Sequence, residues 1–223
     1  MKIIEFDSIA STQDEVEKYV SKGEDVIVRA AEQTGGKGTK GRSFVSKRGG
    51  LYFSCLKFHS DLPADKAYRI IENVSVAVAL ALKKFGVDAR IKWPNDILVE
   101  KKKICGILTR SAIDKGVVSY SVIGVGINVN NEIDKELKDI AVSMKQITGY
   151  NVVIDDFFKE LVGLLQTEHD ESVYKSLSCV IGKRVAVTRG EETFFAVAED
   201  VLSDGGLLLD NGEKLTYGEI KII

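Results

Sequence analysis

Two histidines, three cysteines, two prolines and one tryptophan are spread over 223 residues. Each scarcity closes off a class of function. His59 and His169 stand far from each other and from most of the thiols, so no Cys/His metal cluster can be assembled. Cys55, Cys105 and Cys179 are odd in number and widely spaced, which argues against a disulfide framework and for reduced thiols in a cytoplasm. Charge of one sign is also missing: 31 Lys and Arg face 33 Asp and Glu, for a formal net charge of -2. No global basic field therefore points to nucleic acid. The start, Met1 to Asp7, is too short and too charged for a signal peptide. The longest apolar run, Val76 to Leu82, falls far below membrane-spanning length.

What is present suits a folded chain. An apolar content of 44% supports a proper core, and the length fits one large domain or a large domain with a small appendage. Lys2 to Phe6 reads as a strand, after which Ser11 or Thr12 caps a helix with Asp14 and Glu15 in its first turn. Asp25 to Glu32 and Leu51 to Phe58 read as strands. Ala64 to Phe85 has helical periodicity, with Ala67, Ile70, Ile71, Val74, Val78, Ala81 and Leu82 inward and Gly86 as the stop. Val117 to Val125 alternates with a partly apolar outer face and reads as an exposed strand able to pair with a second copy across a two-fold axis, which leaves a homodimer and a monomer both open. Short helices are expected at Glu132 to Lys138 and Val142 to Thr148, and a longer one from Asp156 to Leu177. Beyond Cys179 the pattern changes to short strands, Val185 to Val187, Thr193 to Val201, Gly206 to Leu209 and Lys214 to Tyr217, separated by Gly-containing turns, which reads as a small barrel. The class is α+β with a mostly antiparallel sheet, divided into residues 1–178 and 179–223.

Two stretches concentrate chemistry. Ile91 to Leu108 (I-K-W-P-N-D-I-L-V-E-K-K-K-I-C-G-I-L) holds the only Trp, one of the two prolines, an Asn-Asp pair and four lysines. Pro94 disfavours helix at Trp93, so Asn95 and Asp96 belong to a turn between strands. A hairpin with its tip at Glu100 to Lys103 brings Asp96 and Lys103 to one rim, where a carboxylate beside a cation suits metal and phosphate chemistry. The competing reading is a solvated hairpin with ordinary surface lysines. The second stretch, Gln33 to Arg42 (Q-T-G-G-K-G-T-K-G-R), contains G-x-G-x-x-G but opens no helix, so it is neither a dinucleotide fingerprint nor a P-loop. It remains a glycine-rich loop whose amides, with Lys37, Lys40 and Arg42, can fold over an anion, or else a loose surface loop.

S-T-Q at Ser11, Q-T-G-G-K-G-T-K-G-R at Gln33, K-W-P-N-D at Lys92, K-I-C-G-I-L at Lys103 and G-V-G-I-N at Gly124 together resemble the biotin protein ligases. The motifs stand in family order across essentially the whole chain. The resemblance implies a class II synthetase-like catalytic domain with an SH3-like C-terminal barrel, in the short form without a DNA-binding winged helix ahead of Ile3. It implies ATP-dependent formation of biotinyl-5′-AMP and transfer of biotin to a lysine of a biotin carboxyl carrier protein, with no DNA and no membrane as partner. By motif position it assigns Ser11, Thr12, Gln13 and Gln33 to the biotin ring, and Lys37, Gly38 and Thr39 to the carboxylate end. Lys103 would bridge carboxylate and phosphate. Arg42, Phe44, Asn95, Asp96, Gly106, Gly126 and Asn128 fall to the nucleotide, Asp96 beside Mg²⁺, with Lys103, Asp96 and Lys37 as the catalytic set. Family members usually carry Asn where Gln13 stands, Arg at Lys37 and Thr39, and Trp at Phe44. Lipoate ligases and octanoyltransferases, or a binding module without catalysis, are the alternatives.

Overall fold

The computed structural model describes residues 1–223 and arranges them around two sheets. The larger contains β1 (Lys2–Ile9), β2 (Val26–Gln33), β3 (Leu51–Pro63), β4 (Arg90–Lys92), β5 (Asp96–Val99), β6 (Lys102–Asp114) and β7 (Val117–Ile127), in the order β1-β2-β3-β7-β6-β5-β4. Only β1 and β2 run parallel, joined through helix α1 (Thr12–Glu17), so the sheet is mixed and mostly antiparallel as the pattern implies.

Each face of this sheet is closed by the helix whose apolar stripe fits it. Ser11 caps α1 by accepting from the Asp14 amide at 3.4 Å, and Val16 then buries against Val26, Val28, Leu56 and Val122. The opposite face is covered by α2 (Tyr68–Lys84), whose Ile70, Val74, Val78, Ala81 and Leu82 enter a contiguous cluster of 43 buried residues. Fully burying a Val, Leu or Ile side chain contributes about 1.5–3 kcal/mol, so this layer dominates the stability of the sheet. Gly86, at φ +82°, ends the helix in the left-handed conformation. No helix is long and apolar enough to cross a membrane.

Four expectations change. The single helix from Asp156 to Leu177 is two, α4 (Ile154–Leu165) and α5 (Glu171–Leu177), after the short α3 (Met144–Thr148). The break falls at the polar stretch Thr167 to Asp170. There the His169 amide donates to Asn73 Oδ1 at 2.8 Å and Asp170 caps the next helix through the Ser172 amide at 2.8 Å. The helix expected at Glu132 to Lys138 shrinks to one 3₁₀ turn, Lys135–Leu137. The strand β7 is no edge: it pairs with β3 on one side and β6 on the other, so its alternation serves the two faces of a central strand and no backbone row is left for a second copy. Finally, the C-terminal strands β8 (Arg184–Arg189), β9 (Glu192–Val201), β10 (Leu207–Leu209), β11 (Lys214–Leu215) and β12 (Glu219–Ile222) form a sheet in the order β11-β10-β9-β8-β12 that does not close into a barrel. The turn signals gave the strands but not β12.

The second sheet is fastened to the first through Trp93. Its indole Nε1 donates to the Gly205 carbonyl at 2.9 Å, with the side chain only 3% exposed. Gly205 sits at φ +85°, and a Cβ there would fall 2.0 Å from Cγ of Tyr68, so a bare backbone is required on both counts. Val180, Val185, Val187 and Ala198 share one apolar cluster with Trp93. The rarest residue in the sequence is thus structural. Trp93→Phe is expected to leave a buried carbonyl unpaired and to lower the unfolding free energy by about 1–3 kcal/mol, measured as a shift in the urea midpoint.

Candidate functional site

On the α1 side of the large sheet, neighbouring strands lack side chains at facing positions. Gly106 of β6 pairs with Gly126 of β7, and Gly124 of β7 pairs with Leu108 of β6 and Ser54 of β3. The result is a cleft with a backbone floor, walled by Ser11, Thr12 and Gln13 and roofed by Lys37, Gly38, Thr39 and Phe44. Gln33, Asn95 and Lys103 complete its lining.

The Ser-Thr-Gln triplet does more than cap a helix. Ser11 is the cap, whereas Thr12 and Gln13 are buried and bonded across the cleft. Gln33 Oε1 accepts from the Thr12 amide at 2.8 Å and from Thr12 Oγ1 at 3.0 Å, and Gln33 Nε2 donates to Ser46 Oγ at 2.8 Å. Thr12 Oγ1 also lies 2.8 Å from Ser54 Oγ. Gln13 Nε2 donates to the Leu108 carbonyl at 3.0 Å, and its Oε1 accepts from Arg110 at 3.4 Å. Amides bonded in this way are fixed in direction, because each lost partner costs about 1–3 kcal/mol. One end of the cleft is therefore a rigid array of donors and acceptors.

The other end carries charge. Lys103 Nζ lies 2.5 Å from Asp96 Oδ1, which bears out the expectation that the hairpin brings these two to one rim. Asp96 itself stands beside the lining rather than in it. Lys103 is inside β6 rather than at the tip, which is Glu100 and Lys101. Asn95 Nδ2 donates to the Ile107 carbonyl at 2.5 Å and so ties the W-P-N-D turn to the floor.

The glycine-rich segment is not a loose loop. Gly38 donates to the Arg42 carbonyl at 2.7 Å and Phe44 to the Gly36 carbonyl at 2.8 Å, folding it into a tight hairpin over the cleft. A Cβ on Gly36 would meet the Phe44 carbonyl at 2.4 Å, so the close approach demands glycine. Its cations point to three carboxylate contacts: Lys37 to Asp14 at 2.6 Å, Lys40 to Glu219 at 3.3 Å, and Arg42 also to Glu219. The two cations beside it hold the Glu219 carboxyl below its ordinary range, the Lys40 hydrogen bond foremost. Arg42 accordingly turns away from the cleft. Asn128 also lies outside it, 7% exposed beyond the end of β7, accepting from Asn131 Nδ2 at 3.0 Å. Phe44 does line the cleft, its ring so close that a Cβ on Gly126 would fall 2.6 Å from Cε1.

Sequence reasoning did not single out Ser54 or Glu219. Ser54 was findable as the one aliphatic hydroxyl in the apolar run L-Y-F-S-C-L; Glu219 carries no local signal. Thiol chemistry finds no place here. Burial pushes the Cys105 thiol up and Cys55 to about 12, so neither is a nucleophile near neutral pH. No group of three or more His, Cys, Asp or Glu side chains is placed to hold a metal ion. A roomier cavity of about 670 Å³ lies on the opposite face between β3, α2 and α4, but the glycine floor and both cleft lysines belong to the smaller cleft.

Gly124→Ala places a Cβ 2.8 Å from Gln13 Nε2 and displaces it from Leu108. The expected cost is on the order of 1–3 kcal/mol in urea unfolding. Gly163→Ala, in α4 with nothing within 4 Å, is the control; it is expected to stabilise by about 0.5–1 kcal/mol.

Residues 5–128 match the model of the biotin/lipoate A/B protein ligase family. Among curated proteins, the bifunctional ligase/repressor BirA of Bacillus subtilis is 29% identical over 227 residues, covering 95% of this chain and 70% of the relative. The protein of the same name from Bacillus spizizenii is 30% identical over 223 residues, covering 93% and 69%. Among solved structures, the biotin protein ligase from Aquifex aeolicus in complex with biotin and ATP superposes with a TM-score of 0.82 at 26% identity, over 100% of this chain and 98% of that one. With more than half of its length inside the family model and a 30% identical relative aligned along most of its sequence, the chain belongs to the biotin/lipoate A/B protein ligase family.

Proposed function

We propose that this chain is an ATP-dependent biotin protein ligase, which activates biotin as biotinyl-5′-AMP and transfers it to a lysine of a biotin carboxyl carrier protein. The observation that carries the reading is the cleft itself: a fixed amide and hydroxyl array at one end, Lys37 and Lys103 at the other, and a glycine floor between them. The catalytic unit is residues 1–178, with 179–223 as a smaller module against it. The chain's three unpaired cysteines fit a reducing cytoplasm.

The ring of biotin has one carbonyl and two N–H groups. The Thr12, Gln33 and Ser54 cluster offers matching donors and acceptors, and Gln13 closes that end. The valerate chain then leads its carboxylate toward Lys37, Gly38 and Thr39. In the first step a carboxylate oxygen attacks the α-phosphorus of ATP and the bond to pyrophosphate breaks. Two anions must meet, so the protein's task is to neutralise and align them. Lys103 serves both, and its Asp96 contact keeps it aimed. The purine would rest on the bare strand segments at Gly106 and Gly126, against the Phe44 ring. In the second step the carrier amine attacks the acyl carbon and AMP leaves. No protein nucleophile is required.

A metal held by protein alone does not fit, since no three-acid cluster exists. A Mg²⁺ ion carried by the nucleotide phosphates and touching Asp96 does fit, because such ions take one or two carboxylates and otherwise phosphate and water. When bound it would offset phosphate charge.

A pyrophosphate-release assay with biotin, lipoate and octanoate separates this reading from its relatives. Release with biotin alone is expected; release only with lipoate or octanoate, or with none, would overturn it. Lys103→Ala is expected to keep its circular dichroism spectrum and lose about ten- to a hundred-and-fifty-fold or more in adenylate formation, the range of a charge-assisted contact. Lys40 is turned to Glu219 and does not replace the missing cation at Thr39. Thr39→Arg should therefore slow dissociation of biotinyl-5′-AMP by about tenfold or more in a pulse-chase filter assay.

A further inference from the structure

Asp14 follows directly on the buried triplet Ser11 to Gln13, yet it lies outside the lining of the cleft. Its carboxylate holds the one cation of the glycine-rich hairpin that does line the cleft: Asp14 Oδ1 is 2.6 Å from Lys37 Nζ. We propose that Asp14 is a positioning residue that occupies Lys37 in place of the substrate carboxylate, so that the acid binds by exchanging one carboxylate for another. Such an exchange is open to an ionised acid and closed to its neutral amide. The inference rests on the reading of Lys37 as the partner of the acid's carboxylate.

A lysine ammonium has three donors and no acceptor, so what takes it from Asp14 must offer electron pairs, and an anion does so best. The Asp14–Lys37 pair is about half exposed, with side chains 48% and 46% accessible. Exposed pairs of this kind are weak, and an anion arriving in the more enclosed cleft is less screened, so exchange runs toward the substrate. A neutral ligand offers no such replacement and leaves Lys37 on Asp14. The main chain need not open for the exchange. Gly38 to Arg42 at 2.7 Å and Phe44 to Gly36 at 2.8 Å hold the hairpin, and only the Lys37 side chain has to swing. Lys103 differs, because its partner Asp96 is the less exposed at 28% and lies on the path assigned to the nucleotide.

Calorimetric titration of Asp14→Asn and Asp14→Glu with biotin and with biotinamide tests the exchange. Asp14→Asn is expected to tighten biotin by about two- to fivefold, the range of an exposed ion pair, while leaving biotinamide unchanged. Asp14→Glu should behave as the parent protein, and the gain should vanish in a Lys37→Ala background. An equal shift for both ligands, or biotin binding unchanged or weakened by Asp14→Asn, overturns the proposal. Hydrogen exchange of residues 34–42 without ligand reads the contact independently of any substrate: Asp14→Asn should speed it by about two- to fivefold and Asp14→Glu should not. Unchanged exchange removes the contact. A parent protein that binds neither ligand overturns the substrate reading and the carboxylate exchange with it, and the exchange rates alone then judge the contact.

Discussion

Everything in the cleft depends on side chains that are not there. Gly106 and Gly126 face each other across two central strands, and Gly124 stands two residues before Gly126, so a sheet otherwise covered on that face by α1 is left bare over one patch. A glycine within a strand is unfavourable by roughly 0.5–1 kcal/mol relative to alanine. The deficit is offset by the opposite face, where Ile107, Val125 and Phe53 from the same strands enter the large apolar cluster. The sheet is thus stabilised from behind and left open in front. The period-2 alternation of a strand is what lets one segment serve both ends.

The polar walls follow from that openness. With no side chains to cover it, the floor is closed instead by Gln13 from α1 and Phe44 from the hairpin, both in contact range of the glycine positions. Side chains from two separate segments then meet, and the hydrogen bonds from Thr12 to Gln33 and from Gln33 to Ser46 hold them in register. The same bonds give the cleft its directionality. A ligand that enters meets fixed amides at one end and cations borrowed from carboxylates at the other.

Much of this was legible because it is local. The alternation of β2, β3, β6 and β7, the periodicity of α2 with Gly86 behind it, and the meeting of Asp96 with Lys103 across one hairpin all depend on neighbours within about twenty residues. Non-local geometry was not legible. That β7 lies inside the sheet is decided by β3, more than fifty residues earlier, and no pattern in V-V-S-Y-S-V distinguishes a central from an edge strand. Arg42 looked like a cleft cation because its partner, Glu219, is remote. Asn128 sits in a motif aligned with the site, but the bond from Asn131 takes its carbonyl oxygen into the strand-ending turn. The helix ending at Leu165 was overrun because Asp170, the cap that restarts it, reads as one more charged residue in a helical stretch.

The contact between the hairpin and Glu219 also sets an order in time. Lys40 and Arg42 are made early in synthesis, while the carboxylate that holds them lies on β12, the last strand to be formed. A chain grows from its amino end and its earlier parts fold as they emerge. The large sheet and the cleft floor can therefore assemble while the roof still carries two unmatched cations, and only the arrival of β12 draws them outward. The last strand of the C-terminal sheet and the roof of the cleft meet at one carboxylate, Glu219.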